Sequence, residues 1–210
     1  MDIDNKHVRE VYEKIAKHFS NTRVYTWSWI RDFIERQSSN SLIYDIGCGN
    51  GRNMNPDRDR DKKFIGIDNC REFLKICRER GLEVVEASMT SIPLLSGTAD
   101  AIICIAAFHH LSKMEDRILA LLEMKRLVKP GGRILISVWA KEQPTKTRRT
   151  FDRYGDNMVR WDKFGVKYDR YYYIFEKKEI ERLFRTAGLT IMRYSLECGN
   201  MVYELEKNLC

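Results

Sequence analysis

The stretch YDIGCGNGR, residues 44–52, carries the reading of the fold. It completes the apolar run SLIYDIG, which is short and branched enough for a buried strand and places Asp45 near the strand's end. Gly47, Gly49 and Gly51 then alternate, leaving bare backbone where the strand gives way to a loop. Farther on, KFIGID (63–68) reads as a second strand ending in another acid, Asp68, 23 residues after Asp45. That separation fits strand, loop, short helix and strand. The two acids then fall at the ends of neighbouring parallel strands, where open α/β sheets bind ligands.

Strand-like and helix-like segments alternate through most of the chain, the pattern of an α/β fold. Before the loop, residues 5–19 carry Val8, Val11, Tyr12, Ile15 and Phe19 on one helical face, and a second amphipathic segment runs from about Trp27 to Arg36. After it, REFLKICRERG reads as a helix closed by Gly81, LEVVEA (82–87) as a third strand and DAIICIAA (100–107) as a fourth, buried on both faces. MEDRILALLEMKRLV is a helix stopped by KPGG, and RILISVW (133–139) a fifth strand. Residues 140–173 lack clear periodicity and are expected to form an inserted functional region. The chain resumes with helix KKEIERLFRTAG, strand LTIMRYSLE, a three-residue turn CGN and strand MVYELEK. So short a connection makes the last two strands antiparallel.

At 210 residues the chain is long enough for one well-buried domain, and 43% hydrophobic with 32% charged residues is a globular composition. No apolar run approaches the roughly 20 residues that span a bilayer, and the N-terminus lacks signal-peptide character. The expectation is a cytoplasmic chain, with the nucleus as an alternative. The six scattered cysteines show neither a C-x-x-C pair nor zinc-ligand spacing, so no metal is expected in this chain. A net charge of +7 permits a polyanionic partner without requiring one.

Two ligands compete for the glycine loop. A dinucleotide fingerprint needs G-x-G-x-x-G, but the spacing here is G-x-G-x-G, Arg52 holds the third glycine's place, and NMNPDRDRDK is a poor helix start. S-adenosylmethionine fits better. It has no phosphate, Asp45 can face its cationic side, the glycines admit its methionine part, and Asp68 can accept both ribose hydroxyls.

YDIGCGNG, IGID and EMKRLVKPGGRILIS together resemble the motifs of the class I methyltransferases. The resemblance implies a seven-stranded, mostly parallel sheet with an antiparallel C-terminal hairpin, helices on both faces and a single domain over 1–210, with 1–37 as an N-terminal helical segment and 140–173 as the substrate insert. It also implies a cofactor site built from Asp45, Gly47, Gly49, Asn50, Gly51, Asp68, Asn69, Ser88, Met89 and Ala106, with Tyr12 touching the cofactor head. In the third motif, EASMTSIPL, Ser88 stands where the family usually has Asp or Asn, so the Ser88 hydroxyl or the Met89 backbone would meet the adenine amine.

Four further stretches, YEKIAKHFSNTR (12–23), AAFHHLS (106–112), VWAKEQ (138–143) and RYYYIFEKKEIERL (170–183), with the C-terminal NMVYELEK, resemble the eukaryotic tRNA wobble-uridine methyltransferases that esterify 5-carboxymethyluridine. A carboxylate of pKa about 4 is already ionised at neutral pH, so no general base is expected. Arg23, His110, Trp139, Arg170 and Tyr172 are the candidates for placing it and the uracil; His109 is the weaker of the two histidines. The insert interleaves nine Lys or Arg with aromatics, suiting RNA contact, and Arg148 and Arg149 are candidates for phosphate binding. The resemblance also implies a small zinc-binding activator subunit docking at strand 82–87. A small-molecule methyltransferase, an enzyme for another RNA target, and a catalytically silent S-adenosylmethionine-binding module remain open as alternatives.

Overall fold

The computed structural model describes residues 2–147, 150–151, 153–163 and 165–207, without the side chains of Lys146 and Lys163. Arg148 and Arg149 lie outside the described residues. A π-helical turn, Asn5–Arg9, leads into α1 (Glu10–Asn21), followed by α2 (Ser28–Glu35) and β1 (Leu42–Ile46). After the glycine loop come β2 (Lys63–Asp68), α3 (Arg71–Glu79), β3 (Val84–Glu86), β4 (Ala99–Ile105), α4 (Met114–Leu127) and β5 (Val128–Trp139). Then follow β6 (Gly155–Lys163), β7 (Val166–Ile174), α5 (Lys177–Thr186), β8 (Leu189–Glu197) and β9 (Asn200–Lys207).

Seven strands form one sheet in the order β3-β2-β1-β4-β5-β9-β8, with β9 antiparallel to both of its neighbours. The sheet is central because alternate side chains of its inner strands feed two different cores. Tyr44, Ile46, Ile102, Cys104, Ile134 and Ile136 pack with α4 and α5, whereas Ile43, Ala101, Ile103 and Leu135 pack with α2 and α3. Helices therefore cover both faces. Helix α1 buries Val11, Tyr12 and Ile15 against Phe73 of α3, and Glu13 accepts the first backbone N–H groups of α3, from Arg71 at 2.8 Å and Glu72 at 3.1 Å. A carboxylate at a helix N-terminus satisfies orphan donors and meets the positive end of the dipole.

Residues 140–173 differ from the expectation of an aperiodic insert. Strands β6 and β7 pair antiparallel as a separate two-stranded hairpin. Along β6 the burial does alternate, with Asn157, Val159 and Trp161 half-buried and Met158, Arg160 and Asp162 exposed. In β7 the alternation fails because Arg170, Tyr171 and Tyr172 are all buried, Tyr171 inside a hydrogen bond to Asp156. The third strand is shorter than 82–87, and β5 begins at Val128 rather than Arg133, since Val128 already pairs with Ala99 before a bulge. The last hairpin turns on two residues, Cys198 and Gly199, both left-handed at φ 51° and 77°, a geometry that matches the twist of the flanking strands.

Candidate functional site

A cavity of about 1080 Å³ opens at the C-terminal ends of the parallel strands. Gly47 and Gly49 line its floor, Asp68 and Asn69 its β2 side, Ser88 and Met89 the segment after β3, Ala106 the end of β4, and Trp139 the end of β5. The alternating glycines serve different ends. A Cβ on Gly47 would stand 2.3 Å from the Ala107 Cβ, so that glycine lets the loop pack against the turn after β4. A Cβ on Gly49 would meet nothing within 4 Å. Gly51 is packed against Leu82 and Cys77 and does not line the cavity.

Asp68 fastens this loop. Its Oδ2 accepts the Gly49 N–H at 2.8 Å and its Oδ1 the Cys70 N–H at 2.9 Å, and burial raises its pKa. A carboxylate retains further acceptor sites beyond two such bonds. Asp45 lies behind the wall, not on it: it is fully buried, its Oδ2 accepts Asn53 Nδ2 at 3.4 Å, and its Oδ1 has no partner among the described residues. Burial pushes its pKa up to about 7 against the pull of Asn53 and Arg52. Asn50 lines the cavity and donates to the Arg23 carbonyl at 3.0 Å, tying the loop to the segment after α1. Ser88 is exposed, its hydroxyl 2.8 Å from that of Thr90. Ala106 adopts φ 53°, with its N–H directed at Ser137.

The other half of the cavity brings together all five residues expected at the substrate. Arg23, His110, Trp139, Arg170 and Tyr172 line it, and Tyr12 stands at their centre. Arg170 Nη1 donates to the Tyr12 hydroxyl at 3.3 Å, and that hydroxyl lies 3.1 Å from His110 Nε2 and 3.2 Å from the Tyr172 hydroxyl. His110 Nδ1 is 2.8 Å from the Tyr171 carbonyl, which only accepts, so Nδ1 carries the proton and Nε2 accepts from Tyr12. Burial lowers the His110 pKa to about 3, which keeps the ring neutral. His109 sits behind, fully buried, accepting the Trp139 N–H at 3.0 Å.

Arg170 is 2% exposed and faces four aromatic rings, the nearest that of Trp161 at 4.9 Å. No carboxylate pairs with it or with Arg23 among the described residues. Burying a guanidinium without an anion is costly, so an aromatic cage of this kind is suited to receive one. Trp139 and Tyr172 form a flat wall beside it.

Sequence reasoning missed several participants. Arg52 lines the cavity with its guanidinium 4.4 Å from the Trp27 ring centroid. Trp161 completes the cage, signalled only by the alternation in β6. Arg117 is fully buried, donates to the Leu111 and Ser112 carbonyls at 3.0 and 2.9 Å and lies 3.5 Å from the Tyr173 ring centroid, joining the His110 turn to β7. Gln143 donates to the Gly199 carbonyl at 2.6 Å, which brings the last hairpin turn to the cavity and explains why VWAKEQ and NMVYELEK belong together.

The family model described as "Methyltransferase domain" matches residues 44–136. The tRNA (carboxymethyluridine(34)-5-O)-methyltransferase ALKBH8 of Mus musculus is 39% identical over 78% of this chain, which spans 24% of that protein's length. The tRNA (carboxymethyluridine(34)-5-O)-methyltransferase of Schizosaccharomyces pombe is 32% identical over 99% of both chains. Among solved structures, the complex between the Haloferax volcanii Trm112 methyltransferase activator and the putative methyltransferase matches with a TM-score of 0.71 at 15% identity, covering 97% of this chain and 98% of that one, a likeness of fold.

Proposed function

The chain belongs to the tRNA (carboxymethyluridine(34)-5-O)-methyltransferase family, and on that premise we propose that it transfers the methyl of S-adenosylmethionine to the carboxylate of 5-carboxymethyluridine at the wobble position of tRNA. The cavity fits such a cofactor: Gly49 leaves its floor open, Asp68 keeps acceptor sites at the end of β2, and the volume of about 1080 Å³ exceeds what most single small ligands fill. Bound there, the cofactor supplies an electrophilic methyl on a sulfonium.

The observation that carries the reading is Arg170, buried in an aromatic cage without an acid partner among the described residues. An anionic acceptor supplies the missing charge. Arg170 and Arg23 orient the carboxylate, Tyr12, itself bonded to neutral His110, holds Arg170 through its hydroxyl, and the Trp139–Tyr172 wall takes the flat face of the base. A near-attack geometry is then set by binding alone, since the nucleophile arrives ionised and no residue need remove a proton. His110, neutral with both nitrogens engaged, is a positioning residue for Tyr12.

For the tRNA body we assign the hairpin β6–β7 and the residues just before it, where exposed Lys167 and Arg153 suit phosphates; exposed Arg160 is already paired with Asp169 at 3.2 Å. For an activator subunit we assign the edge of β3, which among the described residues pairs only with β2. Leu95, 79% exposed, lies on the following loop, which Arg126 ties to α4 through the Leu94 carbonyl at 2.8 Å, and α4 itself exposes Leu119 and Leu122. A stable, active monomer would count against that partner.

The experiment is methyl transfer from labelled S-adenosylmethionine to bulk tRNA, with and without mild alkali, using protein co-expressed with a Trm112-type activator. Label that enters tRNA and leaves as methanol under alkali is expected. Alkali-stable label would mean a different RNA acceptor, and cofactor binding without label would favour a metabolite enzyme or a silent module.

A further inference from the structure

Tyr25 is 86% exposed and its neighbour Val24 63%, yet both line the cavity. Their backbone is held, not loose. Asn50 Nδ2 donates to the Arg23 carbonyl at 3.0 Å on one side, and on the other the Thr26 hydroxyl donates to the Arg52 carbonyl at 2.7 Å. The segment between α1 and α2 is thus fastened to the glycine loop, and the Tyr25 ring is presented to solvent at the rim.

The rim around that ring is cationic. Arg52 lies over Trp27, which stacks on Trp29 with ring centroids 5.4 Å apart. Burial lowers the Arg52 pKa to about 10, so it stays charged at neutral pH. Neither Arg52 nor Arg23 meets a carboxylate among the described residues. The acids that line the cavity are already engaged by backbone N–H groups, Asp4 by Ser112 and Asp68 by Gly49 and Cys70. An outward aromatic face beside cations that form no ion pair among the described residues matches one ligand chemistry: a nucleobase with its phosphate.

We propose that Tyr25 is a stacking platform for the nucleotide adjoining the modified uridine, with Arg52 taking the phosphate that joins the two. The proposal rests on the reaction assigned above. Unstacked loop bases are available for such contact, and aromatic stacking tolerates any base because each has a π face. The modified base goes inward to Trp139 and Tyr172 while its neighbour stays at the rim.

The test uses anticodon stem-loops carrying 5-carboxymethyluridine, intact or with an abasic residue on its 5′ or its 3′ side. For the wild type in its activator complex, one of the abasic substitutions is expected to lower kcat/KM about 10-fold, the scale of one stacked base. In Tyr25→Ala that substitution is expected to have no further effect, whereas Tyr25→Phe retains the wild-type sensitivity. Wild-type indifference to both abasic residues, or an undiminished penalty in Tyr25→Ala, would overturn the proposal. Stem-loops with 2-aminopurine on the 5′ or on the 3′ side of the modified uridine decide the stack without turnover. Quenching by wild type and Tyr25→Phe but not Tyr25→Ala supports it, and equal quenching by all three overturns it. Absence of turnover by the wild type on every stem-loop would instead remove the assigned reaction, leaving the fluorescence to judge the platform.

Discussion

Trp139 and Tyr172 lie face to face, with ring centroids 4.0 Å apart and planes within 6° of parallel. One ends a strand of the main sheet and the other comes from the separate hairpin, so their stack fixes the hairpin against the sheet beside the cavity. Tyr172→Leu is expected to raise KM for RNA about 5- to 10-fold, the scale of an aromatic contact. Tyr172→Phe keeps the stack and removes only the hydroxyl that lies 3.2 Å from that of Tyr12. Its effect should appear in kcat more than in KM, as steady-state kinetics on a stem-loop would reveal.

Arg170→Met separates function from stability. Methionine fills a similar apolar volume and removes a buried cation that has no carboxylate partner among the described residues, so thermal unfolding is expected at the wild-type temperature or above it. Methyl transfer to the carboxymethyl substrate should fall on the order of 10- to 100-fold, the range of a hydrogen bond to a charged group. A large drop in melting temperature would assign Arg170 to the fold.

His110 gives a signed pH dependence. Its folded pKa, lowered by burial to about 3 from an ordinary 6.5, means that the folded state disfavours protonation. Its contribution to stability is therefore complete above about 6.5 and is lost as pH falls toward 3. His110→Asn is expected to flatten the acid side of the stability curve. Turnover should show no histidine limb near neutrality in either protein, because the wild-type ring does not titrate there.

Gly47→Ala and Gly49→Ala should fail differently. At Gly47 the new methyl would overlap Ala107 at 2.3 Å, and a loss of at least about 2 kcal/mol in denaturant unfolding is expected. At Gly49 it meets open space, so the stability cost should be about 1 kcal/mol for φ 55° alone. The same methyl intrudes on the cavity floor where the proposed cofactor would lie. Calorimetric titration is expected to show cofactor affinity lost in Gly49→Ala while the fold persists.

The main sheet was legible in the sequence because its inner strands are buried on both faces and end in turn residues, as with DAIICIAA and β4. The hairpin β6–β7 was not, because in β7 the requirement to bury Arg170, Tyr171 and Tyr172 together overrides the two-residue period of a half-buried strand. Of the residues marked by motif, His110, Arg170 and Trp139 line the cavity. Asp45 and Gly51 proved to support the loop from behind, since sequence position gives proximity to a ligand but not the direction of a side chain. Arg52 and Arg117 carry no local pattern, and Trp161 only the alternation of β6. Each matters through a partner distant in the chain, as Arg117 does through Tyr173, and only the folded arrangement reveals it.

The proposed reaction requires that the cavity select an already ionised acceptor. Its most direct measurement compares two anticodon stem-loops that differ in one group, 5-carboxymethyluridine and its neutral amide, 5-carbamoylmethyluridine, under identical labelled cofactor and activator. Transfer to the carboxylate at least about 100-fold faster than to the amide is the expected result. Comparable transfer to both, or to unmodified uridine, would contradict the role given to Arg170 and Arg23.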